Sequence, residues 1–322
     1  MSAATTPRVI HTAQALVDEI ATVDALPPRG GNAVARGFGR FAGGAVTVLV
    51  AAARAGAVAV HSGSVGTGPH ADLVRATLAA EGIEVSSPVV TGLDTGVCLV
   101  ILDAEGERTF VTTQGAERHV TARSLASASP STGDLLCLSG YSLVGPTCDP
   151  VLALLDGLGD DVVVVLDPGA PFAGLPERLR ARVLARTDLW TGNAQEAADL
   201  TGRPAPARAV EVLAAALRPG ALAVVRDGAA GAHVHTGSET IAVPGFPREA
   251  VDTNGAGDTH TGVLLAELAR GTSLREAVVR ANAAAALKVV RRGPATAPTR
   301  TEVDELLATS RAWEPRTTFP SS

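Results

Sequence analysis

The run Asp252-Thr253-Asn254-Gly255-Ala256-Gly257-Asp258-Thr259-His260-Thr261-Gly262 carries the reading on which the fold turns. Residues 241–251 before it read as a strand and a turn. After it, Val263, Leu264, Leu265 and Leu268 follow the pattern of a helix that stops at Gly271. The glycines therefore open a helix. Four backbone N–H groups there lack an intrahelical acceptor, and the helix dipole adds partial positive charge. Glycine at 255 and 257 lets an anion approach the backbone closely. Such an anion hole suits the charge that develops on a transferring phosphoryl group. Asp258 falls in the first helical turn, where a carboxylate can take the proton of an attacking hydroxyl. The dipole is expected to lower its pKa and keep it ionised at neutral pH. The purely structural alternative is a favourable N-terminal charge, about 0.3–1 kcal/mol. Two aspartates six positions apart around Asn-Gly-Ala-Gly are more specific than that.

Outward from this motif the chain alternates between strand and helix patterns. Residues 57–62, 134–138, 161–166 and 221–225 read as strands; 69–80, 150–155, 175–185 and 207–217 read as helices. The run 161–166 (DVVVVL) is almost continuously apolar, as a strand covered on both faces should be. This alternation predicts an α/β fold with a central, mostly parallel sheet between helices. Two stretches break the rhythm: 9–44, with Pro27-Pro28 and Gly30-Gly31 inside it, and 91–113, which reads as a hairpin around Ala104-Glu105-Gly106-Glu107. They can pair into a small separate sheet serving as a lid, or extend an edge of the main sheet. Residues 314–322 read as a loose tail.

Composition narrows the function classes. The 322 residues are 46% hydrophobic and 19% charged, as in a soluble globular protein. A net charge of −6 with no basic run argues against nucleic acid as a partner. No apolar stretch approaches a membrane span, and residues 1–8 lack the apolar core of a signal peptide. Cys98, Cys137 and Cys148 form no CxxC pattern, so a cytoplasmic location is expected, without disulfides or zinc. Lysine occurs once, at Lys288, inside a helical pattern. A Walker A loop needs Gly-Lys-Ser/Thr, a protein kinase needs a strand lysine and an HRD loop, and neither set is present. A Schiff-base enzyme would have to use Lys288. A loose GxGxxA at 37–42 lies too far beyond the first strand for a dinucleotide turn.

The segment 252–258 closely resembles the DTxGAGD signature of the PfkB, or ribokinase-like, carbohydrate kinases, and the resemblance runs from about residue 8 to residue 307 in the family's usual order. It implies a ribokinase-like three-layer sandwich in a single kinase domain, with lid segments at about 12–42 and 87–116. It implies Asp258 as catalytic base, Gly255, Ala256 and Gly257 as anion hole, and Asp252 at a monovalent-cation site. Phe41-Ala42-Gly43-Gly44 resembles the family's sugar-binding glycine pair, Gly43 and Gly44. The family's following asparagine is missing: Val48 holds the place counted forward, Thr47 counted back from the helix end at Gly56. A threonine hydroxyl could keep part of that contact; valine could not.

Asp18, in the apolar run 15–20, matches the aspartate that ends the family's first strand and binds sugar hydroxyls, although Glu19 competes for the role. Asn193-Ala194-Gln195-Glu196 matches an NxxE motif that organises magnesium and phosphate, and equally reads as a capping box. Arg226 and Gly228, in a turn resembling TxGxxG, and Asn282 match nucleotide-contacting positions. His260 stands where the family carries an aromatic residue and reads as its packing replacement. The expected ligands are ATP, Mg2+ and K+, with a small sugar or sugar-like acceptor. A nucleoside kinase of the same family and a non-catalytic sugar-binding regulator on the same fold are the alternatives. Lid contacts in the family make a homodimer the expectation by analogy.

Overall fold

The computed structural model describes residues 6–294 and 296–310; the expected tail at 314–322 lies outside them. In chain order the strands are β1 (Arg8–His11), β2 (Ala15–Thr22), β3 (Gly37–Gly44), β4 (Val58–His61), β5 (Glu84–Val85), β6 (Val97–Leu102), β7 (Arg108–Thr112), β8 (Leu135–Ser139), β9 (Val163–Asp167), β10 (Leu189–Asn193), β11 (Leu222–Arg226), β12 (Gly231–His235) and β13 (Thr240–Pro244). The helices are α1 (Ala45–Arg54), α2 (Pro69–Ala80), α3 (Ala122–Leu125), α4 (Cys148–Gly157), α5 (Glu177–Leu184), α6 (Ala194–Thr201), α7 (Pro206–Ala216), α8 (Ala256–Ala269), α9 (Leu274–Lys288) and α10 (Arg300–Thr309).

Nine strands form the main sheet in the order β13-β12-β11-β10-β9-β8-β1-β4-β5. The block from β11 to β5 is parallel, and β12 and β13 are antiparallel additions at one edge. Alternating residues of the central strands explain the layers. Val9, Leu135, Cys137 and Val165 pack against α1, α8, α9 and α10 on one face. Ile10, Leu136, Leu138, Val164 and Leu166 pack against α4, α5, α6 and α7 on the other. A strand covered on both sides has no solvent face, which is why β9 reads as an unbroken run of valines.

A separate four-stranded sheet has the order β3-β2-β6-β7. Its strands come from the two stretches that interrupt the alternation, so they pair with each other rather than extending an edge of the main sheet. Two details depart from expectation. Residues 8–11, within and beside a stretch read as irregular, form β1 near the centre of the main sheet. Asp18 does not end the first strand; it lies within β2, the second. Backbone and side-chain bonds from Thr12 to the Cys137 carbonyl hold the chain as it leaves β1 for the small sheet.

Candidate functional site

The glycine run folds as a helix-opening turn. Gly255 is the N-cap of α8 at φ +77°, a left-handed conformation that favours glycine. A Cβ there would lie 2.7 Å from the Pro294 carbonyl oxygen and 3.1 Å from the Thr47 methyl group, so the turn is also sterically closed to larger residues. Asp258 sits in the first turn of α8, as the motif predicts. Its electrostatics do not follow the prediction. Burial, followed by the charge of Asp167, raises its pKa to about 7 against the pull of Arg226; Asp18 and Glu196 push the same way. Desolvation and neighbouring carboxylates outweigh the helix dipole. No hydrogen bond reaches the Asp258 carboxylate from the described residues.

Arg226 ends β11 at the carboxyl edge of the sheet, where open α/β sheets present their ligand sites. One guanidinium nitrogen donates to Thr261 Oγ1 at 2.7 Å and Thr191 Oγ1 at 3.3 Å, and lies 3.6 Å from Asp167. Another lies 3.9 Å from Glu196. The same group covers Gly257, 3.6 Å from where its Cβ would be. Asn193 and Glu196 form a reciprocal capping box, each side chain accepting from the other's backbone N–H at 2.8 Å. The cap and a charged cluster coexist, because Glu196 is raised above the usual carboxylate range by burial and then by Asp167. A cavity of about 400 Å³ opens beside this cluster, and Asn193, Arg226, Gly228, Gly257 and Asn282 all line it. Asn282 is tied internally: its amide donates to the Val243 and Pro244 carbonyls, and its oxygen meets His260 Nε2 at 3.1 Å. His260 is buried, with its pKa pushed down to about 3 chiefly by that burial. Both residues thus tie α8 and α9 to β13.

Asp18 and Gly43 meet across the small sheet. A Cβ on Gly43 would lie 2.4 Å from Asp18 Oδ2, so only glycine leaves room for the carboxylate. Gly44, the N-cap of α1 at φ +62°, is pressed against the Gln14 carbonyl in the same way. Burial raises Asp18 to about pKa 6, and no described residue donates a hydrogen bond to its carboxylate. Glu19, the competing acid, faces the other way and pairs with Arg40 at 2.7 Å. Thr47 is buried beside Gly255 with its hydroxyl unpartnered among the described residues, whereas the Val48 carbonyl abuts Gly262. A second cavity, about 790 Å³, separates the small sheet from the turn at 251–253 and is lined by Arg36, Phe41, Arg108, Asp252 and Arg292 among others.

Asp252 anchors the turn. Its carboxylate accepts from the backbone N–H groups of Asn254 and Gly293, both at 2.8 Å. Lys288 approaches from α9 and donates to the backbone carbonyls of Asp252 at 3.0 Å and Arg291 at 3.3 Å. It is wholly buried, so it cannot present a free amine for Schiff-base chemistry. The structure brings Gly255, Ala256, Gly257, Asp258, Arg226, Glu196 and Asn193 to one edge of the main sheet, and Asp18, Gly43 and Gly44 to the small sheet opposite. Sequence reasoning missed Asp167, although an acid closing the buried run 162–166 was the available signal. It also missed Thr191 and Thr261, whose hydroxyls carry no pattern of their own.

The architecture defines a class: a ribokinase-type α/β sandwich. A structure titled a putative ribokinase II in complex with ATP and Mg2+ from Escherichia coli matches at a TM-score of 0.81 with 24% identity, covering 94% of this chain and 99% of that one. The ribokinase of Giardia lamblia matches at 0.80 with 23% identity over 94% and 99%. In sequence, the uncharacterized sugar kinase YegV of Escherichia coli K12 is 34% identical over 298 residues, 92% of each chain. The ribokinase of Bacillus subtilis is 30% identical over 297 residues, 91% of this chain and 96% of that one. The model of the pfkB family of carbohydrate kinases matches residues 8–301. The chain belongs to that family and is an ATP-dependent sugar kinase. No helix of the described residues is long and apolar enough to cross a membrane.

Proposed function

We propose that this kinase phosphorylates a hydroxyl of a small sugar or sugar-like substrate, with Asp258 as base and the turn 255–257 as anion hole. The observation that carries the reading is the pair Asp18 and Asp258. Both are half-buried carboxylates with raised pKa values and no hydrogen-bond donor among the described residues, and the charge of Asp18 is felt at Asp258. A partly desolvated carboxylate that accepts no protein donor is free to accept hydrogen bonds from a ligand. Sugar hydroxyls are such donors, and a carboxylate can accept two of them. Asp18 then orients the sugar against the Gly43 and Gly44 backbone, and Asp258 accepts the proton of the attacking hydroxyl as the new P–O bond forms.

The cavity beside Arg226 supports the nucleotide placement, with Asn193, Arg226 and Gly228 at its wall and the backbone N–H groups of 255–257 facing the transferred group. The neighbouring acids Asp167 and Glu196 are oxygen donors suited to a hard cation, and Arg226 is the cation that balances them. Among the described residues no cluster of three or more acidic, His or Cys ligands forms a cage. That fits Mg2+ held mainly through phosphate oxygens and water, with Glu196 ordering the waters; the ion would neutralise phosphate charge. The domain plan that follows is one kinase domain with lid segments 12–42 and 87–116. Closure of the lid carries Asp18 toward Asp258 and excludes water.

Substituting Asp258→Asn keeps size and removes the base. In a coupled ADP-release assay screened over sugars, sugar acids and nucleosides, turnover should fall about 10²–10⁴-fold while ligand binding persists. Equal activity in the variant would sink the assignment, and no ADP from any acceptor would favour a non-catalytic binder. The location of Asp258 does not by itself choose between sugar and nucleoside. The low aromatic content, 3%, leaves few stacking platforms for a nucleobase and supports the sugar.

A further inference from the structure

The family resemblance puts a monovalent cation at Asp252, and the residues present do not fit one. The space beside that carboxylate holds the side chain of Lys288. Its ammonium donates to the backbone carbonyls of Asp252 at 3.0 Å and Arg291 at 3.3 Å, and stands 3.9 Å from Asp252 Oδ2. Main-chain carbonyls with one carboxylate are the oxygen donors that an alkali cation would take. An ammonium is a single charge that meets the same oxygens through N–H bonds.

We infer that Lys288 is a built-in replacement for the monovalent cation, so that this kinase holds its anion-hole turn without potassium. This rests on the reading of 252–258 as that turn. Three further observations support it. Lys288 is the single lysine in a chain whose other 26 basic side chains are arginine, and it sits at full burial in an alanine-rich helix. An unpaired ammonium would not persist there, so its oxygen partners are integral to the site. The partners belong to the two segments that frame the turn: 251–254, and 289–293 after α9. The N–H groups of Val251 and Asp252 both donate to the Val289 carbonyl, and Gly293 donates to Asp252 Oδ2. Lys288 closes this lattice from beneath. Its full burial keeps it from touching nucleotide or substrate, so it is a positioning residue.

The test compares the purified wild type with Lys288→Met, a side chain of similar length without charge. Each is assayed in buffers made with tetramethylammonium, too large to enter the site, and again with potassium or ammonium at matched ionic strength. Wild-type kcat/KM should change by less than about twofold on adding potassium, and its melting temperature should respond no more to potassium than to tetramethylammonium. Lys288→Met should lose activity and melting temperature together, and Lys288→Ala, which empties the space, should be partly restored in both by potassium or ammonium and not by tetramethylammonium. Potassium activating or specifically stabilising the wild type would overturn the inference, as would a folded Lys288→Met enzyme of full activity without potassium. If Lys288→Met does not fold, the wild-type melting curves still decide. They also decide if no acceptor turns over, so failure of the proposed reaction and failure of this inference are distinguishable.

Discussion

Asp258 is a carboxyl whose surroundings favour the proton. Its value near 7, set first by burial and then by Asp167, brings its titration into the neutral range. A base acts in its ionised form, so kcat/KM should rise as pH rises through about 7 and level off above. Below it the profile should fall about tenfold per unit. A pH–rate profile flat from 5 to 8 would show that Asp258 is not the limiting base. The same shift has a stability consequence. Because the folded state holds this proton more tightly than the unfolded chain, its contribution is complete below the ordinary aspartate value and is lost as pH climbs through about 7. Asp258→Asn should therefore match the wild type in urea melts near pH 4 and exceed it by about 0.5–2 kcal/mol at pH 8. The proposed base is thus held at some expense of stability.

At the scale of elements, the site depends on how closely α1 approaches α8. These helices each begin at a left-handed glycine, Gly44 and Gly255. A Cβ on Gly262 would stand 2.2 Å from the Val48 carbonyl oxygen and 2.7 Å from the Ala51 side chain, so the helices touch backbone to side. That contact brings the helix that follows the glycine pair of the small sheet against the turn at Gly255, with Thr47 beside it. Gly262→Ala should force the pair apart, destabilising the fold by about 1–3 kcal/mol. It should also lower activity through misplacement, although residue 262 touches no ligand. Full activity with unchanged melting would show that the approach is not what positions the site. The capping box of α6 makes the opposite point. Glu196 serves the helix and the charged cluster together, so reading it as a cap never excluded the second role.

For the whole molecule, the small sheet has two unlike faces. Asp18, Cys98 and Phe41 are register partners on the face that bears Asp18. Phe38, Leu99 and Val111 lie on the opposite side, and all three are exposed. This exposed apolar patch suits the homodimer expected by analogy, with the patch as its interface. Sedimentation should show a dimer for the wild type and a monomer for Phe38→Arg with Val111→Arg, at unchanged fold by circular dichroism. A wild-type monomer at micromolar concentration would remove this reading.

Much of this molecule was legible along the chain. Period and apolar runs identified the parallel sheet because two-sided burial leaves a local trace in 161–166 and 221–225. Helix-opening glycines identified the turn at 255–257 because their use is a matter of local backbone geometry. Three things depended on the tertiary structure. The pKa of Asp258 runs opposite to its local prediction, because desolvation and the charges of Asp167, Asp18 and Glu196 come from distant segments. Arg226 joins Asp167, Thr191 and Thr261 only where the strand ends and α8 converge. Lys288 looked like an ordinary helix residue until the carbonyls of Asp252 and Arg291 were seen around it. The sequence by itself determined the family, the sheet and the glycine turn that opens α8, since each is written in spacing a few residues long. Only the tertiary structure decided the electrostatics of Asp258, the partners of Arg226 and the surroundings of Lys288, because a charge set among remote groups takes its energy from neighbours the chain does not list in order.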